Sequence, residues 1–447
     1  MSIIQASIPL FFLLLGIELV YARMSGNRLL RLNDSISDLS LGTLSQLSGL
    51  FFKLLTIGVY IWVADHFAIQ RFLFVVPSWP DGLPFIGSRS LPRFEVRIPE
   101  LLSWSVVFVL VDFAYYWSHR MSHEVHVLWA GHVVHHSSEE YNLAVALRQS
   151  SLHGLMTWVF YIPLALIGVP WQMFVTCNAI NLVYQFWIHT RAVGRLGWAT
   201  EAVMNTPSHH RVHHGVNPKY QDRNYAGVFI TWDKLFGTFV REEEEPVYGI
   251  THPLGSWNPL WANVHVFVEI WQLVRRARGW RNKLKVVFGP PSWRPEGVGR
   301  AGAGAGPEGG SWIAAPEVTV DNFRKFDPVV PRAIAVYAFA QFLIVLVASV
   351  KTLALAGALP LTQMGALVFY LALALTCIGG LLEGERWAFV LEQARLLSLA
   401  AAAGTLFITG PLPRVWVGLA MVWFVGSAGW LWAIAGAEEP QRRRADG

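Results

Sequence analysis

The fold class predicted from this sequence is all-α: a polytopic membrane helical bundle with a histidine-rich dimetal site at its cytoplasmic face. Three observations predict it. The 447 residues are 53% hydrophobic and only 15% charged, whereas roughly a quarter of an ordinary soluble domain is charged. Apolar runs of about 20 residues, the length that crosses a bilayer, recur along the chain. Ten of the 15 histidines fall in two short stretches.

The apolar runs predict about nine membrane spans. They are residues 3–21, 44–64, 101–118, 151–171, 172–189, 332–350, 361–382, 387–408 and 415–435. The first run contains Glu18 and lacks a basic leader and an A-x-A-like cleavage site, so we interpret it as a retained helix rather than a signal peptide. Arg23, Arg28 and Arg31 follow it, which indicates that this end faces the cytoplasm.

The predicted hairpin of residues 151–189 turns at Gly168 and Pro170 and returns the chain to the side from which it left. Every histidine cluster then lies on one face. The same face carries most of the Arg and Lys residues, and an even number of later spans places the tail QRRRADG there too. We therefore expect the site to face the cytoplasm, in the cell membrane or the endoplasmic reticulum depending on the source.

The composition between the spans predicts three parts: a membrane-embedded catalytic domain (1–290), a Gly-rich linker (291–315) and a C-terminal domain of about four spans (316–447). A polar, Pro-rich stretch up to Pro99 is interpreted as an extended loop. The linker contains a formal G-x-G-x-x-G match at Gly297, Gly299 and Gly302. No predicted strand precedes the match, so we interpret it as flexible linker and not as a dinucleotide loop.

Three histidine clusters follow metal-ligand spacing. They are the H-x-x-x-H pair His119 and His123, the H-x-x-H-H motif His132, His135 and His136, and a second H-x-x-H-H motif, His210, His213 and His214. Residues three and four apart share a helix face, and neutral imidazole is a good ligand for iron, zinc, copper or nickel. Eight such histidines, nine with His189, are too many for one ion and suit two ions with open positions.

The remaining candidates are six other histidines, five carboxylates and two cysteines. A lone histidine is usually structural, which sets aside His66, His153, His252 and His265, and we also expect no ligation by His126 or His209. Carboxylates that can accept the outer N–H of a ligating histidine are Glu124, Glu139, Glu140, Asp112 and Asp233. Asp112 lies within an apolar span, where an ionisable side chain indicates function. Cys177 and Cys377 lie in apolar runs, which argues against a disulfide framework or a cysteine-ligated metal.

Over about residues 104–239 the chain resembles the fatty acid hydroxylase/sterol desaturase superfamily and, within it, the alkylglycerol (glyceryl-ether) monooxygenase family. The resemblance is carried by WSHRMSHEVHVLWAGHVVHHSSEEYNLAVALRQS, QFWIHT, NTPSHHRVHHG and NYAGVFITWDKLFGTF. It implies a membrane oxidoreductase with two iron ions, O2 and a tetrahydropterin reductant. The implied metal ligands are the eight clustered histidines with His189 as the ninth. Glu124, directly after His123, matches the family pattern and joins Asp112 as a candidate catalytic residue.

The function expected from this resemblance is hydroxylation of a lipid C–H, at the carbon next to the ether bond of an alkylglycerol, giving fatty aldehyde and glycerol. A sterol, carotenoid, sphingolipid or fatty acyl hydroxylase or desaturase is the first alternative, and a metal transporter or sensor is the second. The chain has no H-P-G-G haem-binding segment, so electrons are expected from an external donor. The expected partners are therefore a lipid substrate, the bilayer and that donor, with no nucleic acid, because the basic residues lie between apolar spans.

Overall fold

The structure, a computed structural model, describes residues 3–27, 29–72, 94–96, 100–295, 310–312, 318–410 and 413–445. Within these ranges the chain is helical, which confirms the all-α prediction. The α-helices are α1 (Ile3–Ser25), α2 (Leu32–Phe67), α3 (Glu100–Glu124), α4 (His126–His136), α5 (His153–Thr157), α6 (Ile162–Leu166), α7 (Trp171–Trp187), α8 (Trp198–Val203), α9 (Pro207–His213), α10 (Thr231–Phe236), α11 (Pro259–Arg276), α12 (Trp280–Phe288), α13 (Arg332–Ala354), α14 (Leu361–Leu382), α15 (Arg386–Thr409) and α16 (Arg414–Ala445). Short 3₁₀ helices cover Val145–Leu147 and Trp158–Tyr161.

Four short strands form two minimal sheets. In the first sheet β1 (Gln70–Phe72) pairs in parallel with β2 (Phe94–Val96). In the second, β3 (Trp293–Pro295) pairs antiparallel with β4 (Gly310–Trp312). Most of the predicted loop before Pro99 and of the Gly-rich linker lies outside the described residues, so both interpretations stay predictions.

Seven helices of the described residues are long and apolar enough to cross a membrane, which makes the chain an integral membrane protein. They are α1, α2, α3, α13, α14, α15 and α16, with apolar parts at Ala6–Ser25, Leu32–Phe67, Leu101–Glu124, Arg332–Ala354, Leu361–Leu382, Arg386–Thr409 and Arg414–Ala435. Each of the seven coincides with a span predicted from the sequence.

The predicted hairpin of residues 151–189 has a different form from two long spans. Its first arm is divided into α5, a 3₁₀ turn and α6, and its second arm is the 17-residue α7. Pro163, in the first turn of α6, has no N–H to donate to the preceding turn, so a new helix begins there. Gly168 then takes a φ of +85°, which a residue with a Cβ rarely adopts, and the chain turns into α7.

The described chain forms two compact units that alternate along the sequence. One comprises residues 1–31, 48–254 and 263–324, and the other comprises residues 32–47, 255–262 and 325–447. In the first unit, apolar side chains of α3, α6 and α7 form one core, which includes Val107, Val111, Leu164 and Met173. The division at 1–290, 291–315 and 316–447 predicted from the sequence stays a prediction.

The second unit contains α13 to α16 around its own apolar core. Phe342, Leu375 and Ile378 are among the side chains buried there. A buried ion pair joins Glu392 and Arg395 at 2.7 Å, and the Tyr337 hydroxyl donates to the Glu392 carboxylate at 2.9 Å.

Candidate metal centre

The end of α3 and the whole of α4 carry the first two histidine clusters. His119 and His123 lie one turn apart near the end of α3, which stops at Glu124. Val125 is extended, with φ −117° and ψ 120°, and breaks the helix before α4 begins at His126. The two helices pack against each other, and His132, His135 and His136 are all buried in the last turns of α4.

The remaining histidines come from α9 and from the residues after α7. Thr206 is extended and Pro207 opens α9, where a residue without an N–H is best tolerated. His210 and His213 lie on this short helix, and His214 caps its C-terminus. His189 follows the end of α7, and its Nδ1 lies 2.7 Å from the Gln185 carbonyl oxygen.

The structure brings all nine predicted histidines together, in two groups. In each group one ring nitrogen from every member lies within 4.8 Å of the others. Every one of the nine side chains is buried. The first group is His119, His123, His132, His136 and His213, and the second group is His135, His189, His210 and His214.

The two groups do not follow the sequence motifs. Histidines spaced by four residues share a group, as His132 and His136 do in the first and His210 and His214 do in the second. The histidine at the fourth position of each H-x-x-H-H motif, His135 or His213, belongs to the other group. On a helix, successive residues point about 100° apart, so the adjacent histidines of each motif diverge. Each motif therefore contributes to both groups.

The contacts within the second group fit a metal ion. The Nδ1 of His135 lies 3.0 Å from the Arg148 carbonyl oxygen, as the Nδ1 of His189 does from the Gln185 carbonyl oxygen at 2.7 Å. A carbonyl only accepts, so each Nδ1 carries the proton and each neutral ring presents a lone pair at Nε2. These two Nε2 atoms face each other at 3.2 Å. Facing lone pairs repel, and a shared cation converts them into ligands.

The first group has the same character. The Nδ1 of His119 lies 2.7 Å from the Tyr225 carbonyl oxygen, and the Nδ1 of His213 lies 2.9 Å from the Arg223 carbonyl oxygen. Their Nε2 atoms therefore carry lone pairs as well. Within the part of the chain that the structure describes, the buried Nε2 atoms of His123 and His213 have no hydrogen-bond partner. Buried polar atoms are normally paired, so unpaired ones at a histidine cluster fit the donor set of a metal.

The surroundings keep the imidazoles neutral, which is the form that binds metal. Burial, followed by the charge of neighbouring imidazoles, holds the pKa of His132, His136 and His214 well below the usual 6.5. Burial also lowers the pKa of His189 to about 4.

Two buried aspartates hold the loop that supports His119. The Asp233 carboxylate accepts from the backbone N–H groups of Tyr225 and Ala226, each at 2.8 Å. Asp112 accepts from the N–H of Val228 at 2.8 Å and from the Trp232 indole at 2.9 Å. These bonds of the two carboxylates go to backbone N–H groups and not, as expected, to a histidine ring. They fix the loop whose Tyr225 carbonyl oxygen contacts His119. The assignment of Asp112 as a catalytic residue stays a prediction.

Glu124 lies at the end of α3, next to the first group. Its carboxylate accepts from Arg120 at 2.8 Å and is half-buried, and its catalytic role also stays a prediction. Glu139 and Glu140 pair with Arg31, at 3.4 and 3.2 Å. The acceptors missed by sequence reasoning are the backbone carbonyls of Arg148, Gln185, Arg223 and Tyr225, because every residue type supplies such a group.

The histidines set aside lie outside both groups, although one is a close neighbour. The His153 ring centroid lies 4.8 Å from that of His132, and His153 Nε2 lies 3.2 Å from the Ser122 hydroxyl. The His126 Nδ1 lies 2.9 Å from the Val286 carbonyl oxygen. His209 is buried beside His210 on α9.

A cavity of about 440 Å³ opens beside the histidines. Its wall includes His123, His136 and His213 of the first group and His214 of the second. The volume lies within the range of roughly 300–1,000 Å³ typical of small-molecule sites. Apolar and charged side chains share the remaining wall, among them Trp129, Val133, Val266, Glu269 and Arg294.

Comparison with known proteins agrees with this site. A family model described as Fatty acid hydroxylase matches residues 104–238, the segment that contains all nine histidines. The segment that contains the nine histidines is therefore a fatty acid hydroxylase domain, in a chain whose described residues include seven helices long and apolar enough to cross a membrane.

The full-length comparisons narrow the class. Alkylglycerol monooxygenase of Homo sapiens is 38% identical over 395 residues, covering 88% of this chain and 81% of that protein. The Xenopus tropicalis alkylglycerol monooxygenase is 37% identical, covering 87% of this chain and 79% of that protein. Ornithine lipid hydroxylase OlsE of Rhizobium tropici is 30% identical over 169 residues, covering 36% of this chain and 50% of that protein. No solved structure shows a significant match. Within the larger family, this chain belongs to the alkylglycerol monooxygenases.

Proposed function

We propose that this chain is a diiron, O2-dependent monooxygenase that hydroxylates the carbon next to the ether oxygen of an alkylglycerol. The observation that carries the proposal is the convergence of nine buried imidazoles into groups of five and four. The ligands we propose are the five histidines of the first group for one iron and the four of the second for the other. When bound, the two irons would supply the activation of O2 for attack on the C–H bond next to the ether oxygen.

The overall reaction balances with one external two-electron reductant. One oxygen atom of O2 is inserted into the C–H bond, and the other leaves as water with two electrons and two protons from the reductant. The product is a hemiacetal, in which the new hydroxyl and the ether oxygen share one carbon. The new hydroxyl loses its proton, the bond between the hydroxylated alkyl carbon and the ether oxygen breaks, and the departing oxygen takes up a proton, giving a fatty aldehyde and free glycerol. We propose a tetrahydropterin as the reductant.

The protein's own groups prepare the site for this chemistry. Backbone carbonyls fix His119, His135, His189 and His213 with the proton on Nδ1, so that the Nε2 lone pairs point inward. The loop from Tyr225 to Phe229, whose first carbonyl orients His119, is itself held in place. Its backbone N–H groups donate hydrogen bonds to the Asp112 and Asp233 carboxylates. We propose that the cavity of about 440 Å³ receives the polar end of the lipid beside the ligand groups.

We propose that the site faces the cytoplasm. Three apolar helices, α1 to α3, precede the histidine groups, and Arg23, Arg28 and Arg31 follow the first of them. With that basic segment inside, α2 leads out and α3 leads back in. The count of nine spans requires residues 151–189 to cross twice. A hairpin that crosses twice and one that does not cross both end on the side where they began, so the proposed face is independent of that count.

The proposed reaction is tested by metal analysis together with product identification. Protein purified in detergent is analysed for iron and zinc and then incubated with an alkylglycerol, O2 and tetrahydropterin. We expect about two irons per chain and equimolar fatty aldehyde and glycerol. Intact ether lipid alongside oxygenation of an ornithine lipid, a sterol or a fatty acyl chain would transfer the proposal to that substrate. A chain purified with no iron and no turnover would overturn it.

The topology has its own test. A single cysteine at Glu243, in the exposed acidic segment, is expected to react with a membrane-impermeant maleimide only in inside-out vesicles. A cysteine at Gly357, between α13 and α14, is expected to react only from the opposite side. Labelling of both from one side would contradict the assignment.

A further inference from the structure

The hairpin formed by α11 from residue 263 onward and by α12 (residues 263–288) covers α4, the helix that carries three of the nine histidines. Val266, Ile270 and Leu273 of α11 are buried in one core with Ala130 and Val133 of α4. At the other arm, the His126 Nδ1 lies 2.9 Å from the Val286 carbonyl oxygen. The inner face of this hairpin is therefore fixed against α4.

The inner face also forms part of the cavity beside the metal centre. Val266 and Glu269 of α11 line the cavity together with His123 and His136 of the first histidine group. The hairpin thus separates the cavity from whatever lies beyond its outer face.

The outer face is apolar and aromatic in both helices. Val264, Val268 and Trp271 are spaced four and three residues apart on α11, so they share one exposed side. Trp280, Leu284 and Phe288 are spaced by four on α12 and form a second exposed stripe. Trp271, Trp280 and Phe288 are more than 60% exposed, at 62%, 67% and 63%. Large aromatic side chains left uncovered at such spacing indicate a binding surface.

Strong positive charge accompanies the two stripes. Residues 270–288 contain six Arg or Lys residues and no Asp or Glu. Arg275, Arg276, Arg278 and Arg281 lie around the turn between the helices. A helix with apolar aromatics on one side and Lys or Arg beside them lies in the plane of a membrane–water interface. Basic residues at that level attract anionic lipid headgroups.

We propose that the outer face of the α11–α12 hairpin lies in the headgroup region of the bilayer and binds anionic lipids. The positive charge of the hairpin complements the negative charge of anionic headgroups. The surface also belongs to a chain with seven apolar helices that can cross the membrane. The inner face of the same hairpin lines the cavity. The hairpin would therefore lie between the cavity and the lipid headgroups. The inference stands on the exposed stripes and the basic turn, and it does not depend on the proposed reaction.

The first test measures the depth of the outer face. Val268→Cys is introduced into the full chain, labelled with an environment-sensitive fluorophore and reconstituted into vesicles of phosphatidylcholine and phosphatidylglycerol. Both native cysteines are buried, and unsubstituted protein gives the background. We expect quenching by lipids carrying a nitroxide near the headgroup and protection from aqueous iodide. Glu243→Cys, on an exposed polar segment of the same compact unit, is the control and should show the opposite pattern.

Two results would overturn the proposal. Iodide quenching of the label at residue 268 equal to that at residue 243 would place the outer face in water. Shielding from both quenchers would show that protein covers this face, either a second copy or another part of the chain. Neither quenching measurement requires turnover. Failure of this proposal would therefore leave the proposed reaction untouched.

The second test measures the preference for anionic lipid. With the label at residue 268, quenching by nitroxide-labelled phosphatidylglycerol is compared with quenching by nitroxide-labelled phosphatidylcholine. We expect the anionic lipid to quench more, because each arginine at a charged surface contributes up to about a fivefold preference. Combined Arg275→Gln, Arg276→Gln and Arg281→Gln substitutions should lower the ratio, and Arg278, Lys283 and Lys285 should retain part of the preference. Arg241→Gln, an exposed arginine outside the hairpin, should leave it unchanged. Equal quenching by both lipids without any substitution would overturn the anionic preference.

Discussion

Two adjacent histidines of α9 give the sharpest test of the metal centre. His209 and His210 are neighbours on one short helix, and both are buried. The His210 Nε2 lies 3.0 Å from the His189 Nε2 and belongs to the second group. His209 belongs to neither group. His210→Ala and His209→Ala therefore remove the same side chain from the same helix, and they differ in whether a proposed ligand is lost.

The expected size of the effect follows from the number of ligands that remain. Without His210 the second group keeps three imidazoles, whereas the first group keeps all five. Loss of a partner that merely orients a ligand weakens metal binding by about 10–100-fold, so loss of the ligand should cost at least about 100-fold, or about 2.8 kcal/mol. We expect His210→Ala to reduce the proposed two irons to about one, and His209→Ala to retain both.

The assay combines elemental analysis with thermal unfolding of the purified, detergent-solubilised protein. Because a bound metal stabilises the folded state, a chelator should lower the Tm of the unsubstituted protein and of His209→Ala. The decrease should be smaller for His210→Ala, which has one ion fewer to lose. Full iron content in His210→Ala would remove it from the ligand set. Equal losses in both variants would show that the packing of α9, and not ligation, determines the metal content.

Three further substitutions test the loop that holds His119, the cavity beside the histidines and the core of the second compact unit. Gly227→Ala should lower the iron content, because the added Cβ would lie 2.9 Å from the Asp112 carboxylate and displace the loop that holds His119; Gly194→Ala, where the Cβ meets open space, should bind iron normally. Val266→Trp should raise KM for the lipid by filling the cavity; iron content measured in parallel checks that the packing of α11 on α4 is retained, and an unaltered KM would place the substrate elsewhere. Glu392→Ala should lower the free energy of unfolding by about 3–5 kcal/mol in denaturant titrations because it leaves a buried arginine unpaired. Replacing Glu392 and Arg395 together by Leu should restore most of that loss, and equal destabilisation by the double variant would contradict this account.

The sequence predicted the nine histidines because their signal is local. A spacing of three or four residues places imidazoles on one side of a helix, and the clusters lie where apolar runs end. The groups that orient them carry no such signal. His119 is held by the carbonyl of Tyr225, and that loop is held by Asp233 and by Asp112 of α3. The contacts of His119 with Tyr225 and of Asp112 with Val228 join residues 106 and 116 positions apart, which no local pattern reveals.

The predicted number of membrane spans shows the same limit of local sequence patterns. Composition identifies an apolar segment, but it does not determine whether that segment forms one long helix. Residues 151–171 are apolar enough to suggest a span, yet the segment divides at Pro163 and turns at Gly168. The seven remaining spans lack such an interruption within their apolar parts, apart from Pro9 in α1, which lies near the start of that helix. Pro163 and Gly168 thus divide the segment into short helices, and its two predicted crossings of the membrane stay a prediction.

The exchange of histidines between motifs links the two proposed ion sites. In each H-x-x-H-H motif the fourth-position histidine, His135 from α4 or His213 from α9, belongs to the group in which the other motif supplies two members. A single substitution at His210 removes one ligand from one group. A displacement of α9 as a whole moves His213 out of the first group and His210 and His214 out of the second. Changes that shift a helix should therefore lose both ions together, whereas changes that remove one imidazole should lose one. Gly227→Ala acts through the loop that holds His119, and nearby the carbonyl of Arg223 holds His213. Both histidines belong to the first group. Gly227→Ala is therefore expected to lose the ion of the first group, whereas His210→Ala loses the ion of the second, and the two substitutions together should leave almost no iron.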